Sequence, residues 1–399
     1  MSEGLSKKSM PAALAVELGE LEEIGQLRFL RTVSGPQQAH TTLDGCPILL
    51  LCSNNYLGFA NHPKLRGAAQ EAVEQYGCSA GASRLISGTM RLHGELEEAL
   101  ATFKKAPKAL VFNSGYVANL ALLTTLVGAG DVLYSDALNH ASIVDGCRLS
   151  RAQLKVYRHC DVGHLEKLLK STAATFRRRL IVTDSVFSMD GDIAPLPEVA
   201  ALARRYDAIL MVDDAHATGV LGACGRGSGE HFGLDFNDLD LQMGTLGKAL
   251  GSCGAYVAGA PQFIDYLINK ARSFIYSTAL PPAALGASLA ALELLSEEPG
   301  RVARLRSLTD YFRQGLRHLE ISVRDDPTPI VPVVVGDSQR TMALSAWFLE
   351  RGVFIQGIRP PTVGPGQSLL RVTISADLEY SDLDRVLELF AERRHEFKL

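Results

Sequence analysis

Three stretches of this 399-residue chain put polar, chemically capable side chains at the ends of apolar runs. In AILMVDDAHATG a buried-strand pattern closes on Asp213, followed by Asp214, His216 and Gly219. A carboxylate at the end of an apolar strand is costly to bury unless it meets a positive partner. It is either half of a salt-bridged loop or a group that faces a cationic ligand. A metal is a third use, but no second His/Asp cluster at ligand spacing accompanies it. In MGTLGKALGSCG, Lys248 stands among Gly244, Gly247, Ala249 and Gly251, and glycines let a backbone or a flat ligand come close. Such a lysine is a phosphate contact or a nucleophilic amine. A P-loop would need glycine at 242 and a hydroxyl at 249, where the chain has Gln242 and Ala249. In FNSGYVAN (112–119) a Ser-Gly turn opens a helical pattern. It either offers free backbone N–H groups to an anion or is an ordinary cap by Asn113 or Ser114.

Taken together, the three are the anchors that pyridoxal phosphate (PLP) requires. Its phosphate needs a helix N-terminus, its pyridine nitrogen a carboxylate that keeps it protonated, and its aldehyde an amine. Asp213 and Lys248 are separated by room for one helix or loop and one strand.

The elements that must position these groups read as an α/β fold. From about residue 106, short apolar runs alternate with helical patterns. Strands are expected at 109–112, 131–136, 180–185, 208–214, 241–246 and 255–259, with helices at 115–127, 162–171 and 196–206. Val-, Ile- and Leu-rich strands separated by helices predict a mostly parallel sheet flanked by helices. After Leu295 the texture changes to a smaller α+β unit. Its helices are expected at 300–319, 338–351 and 381–396, and its strands at 330–336, 353–356 and 369–375. A helix over 281–298 connects the parts. Leu14, Leu18, Leu21, Ile24 and Leu27 predict a helix over 12–34. The expected organisation is an N-terminal arm (1–55), a large cofactor-binding domain (56–290) and a small C-terminal domain (291–399).

Composition narrows the function. Forty Lys and Arg against 44 Asp and Glu leave a net charge of −4, no footprint for nucleic acid. Seven cysteines, scattered and never in C-x-x-C, predict neither a disulfide framework nor a zinc site. The N-terminus has acidic residues where a signal peptide needs an apolar core. The uncharged run Ser273–Leu292 is interrupted by two prolines, so no membrane span is expected. A soluble, cytoplasmic protein without a metal follows.

The chain also resembles a known family, the α-oxoamine synthases within the fold-type I PLP enzymes. The resemblance is carried by SNNYLGFANHP, GTMRLHGELEEALA, FNSGYVAN, SDALNHASIVDG, TDSVFSMDGDIAPL, MVDDAHATGVLG, GTLGKALG, YSTALPP and IRPPTVGPGQSLLRVTIS, collinear over nearly the whole length. It implies that Lys248 holds the cofactor covalently and acts as base, and that Asp213 partners the pyridine nitrogen. It implies that His216 bonds the cofactor's 3-oxygen and that His140 stacks on the ring, with further contacts from Ser188 and Thr245. The N–H groups of Gly115 and Tyr116 would cradle the phosphate. Thr278 would reach it from the other subunit of a homodimer. Arg28 and Thr362 would contact the acyl substrate, and Asn54 and Arg359 the amino-acid carboxylate.

Members of this family join an amino acid to an acyl thioester with loss of CO2. The segment IRPPTVGPGQSLLRVTISA resembles the members that condense L-alanine with a pimeloyl thioester, on CoA or acyl carrier protein, to 8-amino-7-oxononanoate in biotin synthesis. GTLGKALG reads equally well as the members that use glycine and acetyl-CoA. Two readings stand outside: GCSAG (77–81) fits a serine-hydrolase elbow, although EAVEQY before it is helical in character rather than a strand. A non-catalytic PLP-fold partner subunit should lack the lysine that is present here.

Overall fold

The structure is a computed structural model describing residues 10–172 and 176–397. Its centre is a seven-stranded sheet: β1 (Lys108–Phe112), β2 (Val132–Asp136), β3 (Gln153–Tyr157), β4 (Arg179–Asp184), β5 (Ile209–Asp213), β6 (Leu241–Thr245) and β7 (Ala255–Gly259), in the spatial order β1-β7-β6-β5-β4-β2-β3. All neighbours are parallel except β7, which runs antiparallel to both β1 and β6. The expected mostly parallel sheet is therefore present, with one strand more than the sequence suggested. The missed strand, β3, lies at the sheet edge, and only Tyr157 of its five residues is buried, so it lacks the apolar run that marks the central strands.

The helices Gly115–Leu126, Ala141–Leu149, Val162–Thr172 and Leu196–Arg205 follow β1, β2, β3 and β4 in turn. Asp213 ends β5, Lys248 follows β6, and the Ser-Gly turn follows β1. All three lie beyond the carboxyl ends of parallel strands, where open α/β sheets bind ligands.

The C-terminal part has an antiparallel three-stranded sheet in which Ser368–Thr373 lies between Ile330–Gly336 and Gln356–Ile358. The expected single strand 353–356 is in fact two. Val353–Phe354 pairs in parallel with Cys46–Leu50, and the chain then turns into the other sheet. One apolar cluster runs from Leu49, Leu51 and Tyr56 through Leu285 to Phe348 and Phe390. The start of the chain and the C-terminal part thus share a core with the large sheet. Helix Pro282–Glu297, which opens on a proline as expected, buries Leu285, Leu294 and Leu295 in it.

Two expectations need correction. The N-terminal helix spans Met10–Glu23 rather than 12–34, and Gly25 takes a positive φ of 67° beyond its end. That helix buries none of its residues, so the periodic Leu14, Leu18 and Leu21 face solvent in the single chain. The serine-hydrolase elbow fails on its context, because Gly77 caps the helix Pro63–Tyr76 instead of following a strand.

Candidate active site

Strand β5 is buried up to its last residue, and the Asp213 side chain is held there by two donors. Asn119 Nδ2 lies 2.8 Å from Oδ2, and the Ala215 amide lies 2.9 Å from Oδ1. Burial pushes the carboxyl pKa up, while the bond from Asn119 and the nearby Lys248 pull it down. The next residue, Asp214, is used differently. It is fully buried and paired with Lys104 at 2.8 Å, with Ser228 donating a further bond. The salt-bridged-loop reading of this motif holds for Asp214, and Asp213 is the carboxylate left facing the lysine.

Lys248 Nζ lies 2.8 Å from His216 Nε2. Burial lowers its pKa to about 8 against the pull of Asp213 and Asp184, with Arg371 lowering it further. A pKa near 8 leaves about a tenth of such amines neutral at pH 7, against about one in 3,000 for an ordinary lysine. His216 is buried, and burial together with the Lys248 and Arg371 charges drives its pKa well down, so its imidazole is neutral. Its Nδ1 lies 2.6 Å from the hydroxyl of Tyr56, a fully buried residue.

His140 does two things at once. It caps helix Ala141–Leu149, its Nδ1 lying 2.7 Å from Ser142 Oγ. Its ring also lies within the electrostatic reach of Asp213 and Lys248. Its backbone N–H donates to Asp184 at 2.7 Å, which fixes the turn. Ser114 caps helix Gly115–Leu126. The amides of Gly115 and Tyr116 open that helix, and amides in a first turn lack intrahelical acceptors. A Cβ on Gly115 would lie 2.9 Å from Thr245 Cγ2, so a larger residue there would press on Thr245. Asn113 Nδ2 donates to the Thr278 carbonyl of the same chain at 2.6 Å. The structure therefore brings Lys248, Asp213, His216, His140, Thr245, Gly115, Tyr116 and Thr278 to one end of the sheet. A planar ring with an anionic arm fits this donor set: an amine, a buried carboxylate and free helix amides.

Four residues that carry the site were not singled out in the sequence: Arg371, Tyr56, Asn119 and Asp184. Arg371 is buried in the middle of strand Ser368–Thr373. Its Nε donates to the Ser188 carbonyl at 2.6 Å, and both terminal nitrogens reach Asn54 Oδ1 at 3.3–3.4 Å. The signal was present in LLRVTIS, where a charge interrupts an apolar strand and must have a partner.

Arg359 is placed elsewhere than expected. Its guanidinium donates to the Gly25 carbonyl at 2.6 Å and the Leu27 carbonyl at 2.9 Å, and so pins the N-terminal arm. Arg28 reaches Thr362 Oγ1 at 3.4 Å beside it. Arg28, Arg31, Arg359 and Thr362 line a cavity of about 410 Å³ together with Phe29 and Ile358. The structure thus joins Arg28, Thr362 and Arg359 in one groove, and Asn54 with Arg371 in the lysine cluster.

Comparison with known proteins is consistent with this geometry. Residues 47–390 match the family model "Aminotransferase class I and II". The 8-amino-7-oxononanoate synthases of Geobacter sulfurreducens and Geobacter metallireducens are 53% and 55% identical to this chain, each over 96% of it and 98% of the relative. Among solved structures, a Sphingomonas wittichii serine palmitoyltransferase matches with a TM-score of 0.90 at 30% identity, covering 97% of this chain and 98% of that one. The 8-amino-7-oxononanoate synthase of Francisella tularensis matches with a TM-score of 0.76 at 29% identity, covering 87% of this chain and 98% of that one. With its lysine, carboxylate and helix amides at one end of a seven-stranded sheet, the chain belongs to the class I and II aminotransferase family and, within it, to the α-oxoamine synthases.

Proposed function

We propose that this protein condenses L-alanine with a pimeloyl thioester to give 8-amino-7-oxononanoate, CO2 and free thiol, the acyl-transfer step of biotin synthesis. The observation that carries the reading is the Lys248–Asp213–His216 cluster, set in a chain more than half identical to synthases of that name. In the balanced reaction alanine Cα loses a proton and bonds to the acyl carbon, and the C–S bond breaks to release the thiol. The bond from Cα to the carboxylate then breaks, and a proton returns to Cα.

PLP, when bound, supplies an electron sink for the carbon that loses its proton. Lys248 would hold its aldehyde carbon, and Asp213 its ring nitrogen. His216 would meet the 3-oxygen, and His140 the ring face. Gly115, Tyr116 and Thr278 would hold the phosphate, with Ser188 and Thr245 completing the surround. Lys248 is the base that takes the Cα proton and returns one after CO2 leaves, because its depressed pKa makes a neutral amine available near pH 7. Arg371 with Asn54 replaces Arg359 as the receiver of the amino-acid carboxylate, since a guanidinium binds a carboxylate through two parallel bonds. The groove of Arg28, Thr362 and Arg359 receives the acyl chain, whose far end is itself a carboxylate.

A homodimer is part of the proposal. The bare apolar face of helix Met10–Glu23 and the exposed Phe29 and Leu30 support it. So is the division into arm (1–55), large domain (56–290) and small domain (291–399). Free cysteines throughout, and no described helix long and apolar enough to cross a membrane, support a cytoplasmic location.

The reading is tested by thiol release from a panel of amino acids and thioesters. L-alanine with pimeloyl-CoA should be the preferred pair, and faster turnover of glycine with acetyl-CoA would move the chain to another branch of its family. Arg371→Lys should raise the KM for alanine at least about tenfold and leave the thioester KM within about twofold. Equal effects on both substrates would remove Arg371 from the carboxylate role.

A further inference from the structure

His159, just beyond β3, takes no part in the site described above, yet it is held between two buried carboxylates. Its Nδ1 lies 2.9 Å from Asp136 Oδ1 and its Nε2 lies 2.7 Å from Asp192 Oδ2. Asp136 and Asp192 are 2% and 3% exposed, so neither can turn to water. A neutral imidazole donates from one nitrogen only, whereas the imidazolium donates from both. Burial works against that charge, but the bonds to Asp136 and Asp192, with Cys160 beside them, outweigh it and push the pKa up to about 12. The Phe187 ring meets the imidazole edge to face at 4.4 Å, and Arg324 stands 3.5 Å from the same Asp192 oxygen. Both ring nitrogens are taken, which leaves the nearby Asp136–Cys160 group no imidazole lone pair for a metal.

The two carboxylates belong to the two segments that frame the site. Asp136 accepts from the Leu138 amide and so shapes the turn that delivers His140. Asp192 lies in a hairpin closed by the Val186–Ile193 bridge and the Phe187 N–H to Asp192 carbonyl bond. Within that hairpin the Ser188 carbonyl receives Arg371 Nε, and the Gly191 carbonyl receives the Thr328 hydroxyl at 2.7 Å. A Cβ on Gly191 would lie 2.6 Å from the Ile330 carbonyl, so the hairpin is pressed against the C-terminal sheet. Arg371 takes its orientation from Asn54, Thr373 and this one hairpin carbonyl.

We propose that His159 is a positioning residue. As a charged link between Asp136 and Asp192 it fixes the Ser188 hairpin, and through that carbonyl the Arg371 guanidinium, for the carboxylate of the amino-acid substrate. This rests on the reading of Arg371 as the carboxylate receiver. Without the ring, Asp136 and Asp192 repel each other across the gap, the hairpin shifts, and Arg371 loses one of its anchors.

The test uses the PLP-loaded protein and His159→Gln. Spectroscopic titration with L-alanine and with L-alaninol, which lacks the carboxylate, gives two dissociation constants. Wild type should prefer alanine, and the variant should lose that preference by about tenfold or more while its alaninol affinity stays within about twofold. In turnover, the alanine KM should rise with the thioester KM unchanged. Nitrogen NMR of the wild type should find both ring nitrogens of His159 protonated at pH 9. If His159→Gln does not give folded protein, Asp192→Ala cuts the link on the hairpin side, leaves His159 paired with Asp136, and carries the same expectation. Equal weakening of alanine and alaninol, or a neutral His159 at pH 9, would overturn the proposal. A wild type that binds alanine over alaninol but does not condense it with pimeloyl-CoA would overturn the proposed reaction and leave this inference standing.

Discussion

Lys248→Ala is expected to lower thiol release by at least about 10⁴-fold while leaving the protein folded. The lysine is asked to do two jobs, covalent attachment and proton transfer, and alanine can do neither. Its position explains why the fold should survive. Lys248 lies in a turn beyond β6 rather than inside an element, and its side chain is only partly buried. The burial that depresses its pKa to about 8 is a cost to the charged form, and truncation removes that cost. Truncation also removes a cation from beside Asp213 and Asp184, so the two changes oppose each other. A stability change of about 1 kcal/mol or less is expected in thermal unfolding. Borohydride reduction of the wild type followed by peptide mapping should place the pyridoxyl label on Lys248. A label on another lysine, or variant turnover within about tenfold of wild type, would sink the assignment.

The sequence made the central sheet and the cofactor cluster legible for the same reason. Six strands that are apolar on both faces stand out as runs, and a polar residue that closes such a run must find a partner, which for Asp136 is His159 and for Asp213 is Asn119 beside Lys248. Asp213 and Lys248 announced themselves this way. What was illegible depends on contacts between distant segments. β3 is an edge strand with one fully buried residue, so its pattern is weak. Arg371 is legible in LLRVTIS as a charge that interrupts an apolar strand, but its role appears only once Asn54 and Ser188 are known to lie beside it. Arg359 looked like a carboxylate ligand because its type and neighbourhood suited one, and its bonds to the carbonyls of Gly25 and Leu27 are more than 330 residues away in the chain. The helical periodicity of the arm ran past Glu23 because periodicity does not register the left-handed turn at Gly25.

Adjacent carboxylates at the end of β5 should separate chemistry from stability. Asp213→Asn is expected to lower kcat at least about 10³-fold, because an amide supplies no negative charge to a ring nitrogen and the substrate carbon loses its electron sink. The fold should tolerate the change. Asn119 Nδ2 now donates to both Asp213 Oδ2 and Ser142 Oγ, while its own Oδ1 is buried without a partner. Turned over, Asn119 presents that oxygen to the new amide. Asp214→Asn should behave in the opposite way. Its carboxylate is fully buried against Lys104, and both side chains are at most 1% exposed. Removing one charge from such a pair strands the other, at a cost of about 3–5 kcal/mol. The Asp214 variant should therefore unfold at a markedly lower temperature, yet retain kcat within about tenfold in the protein that remains folded. Near-normal turnover in Asp213→Asn, with loss of turnover in folded Asp214→Asn, would exchange the roles assigned to the two residues. The geometry argues against that exchange, since Lys104 already neutralises Asp214 while Asp213 faces Lys248 and His140.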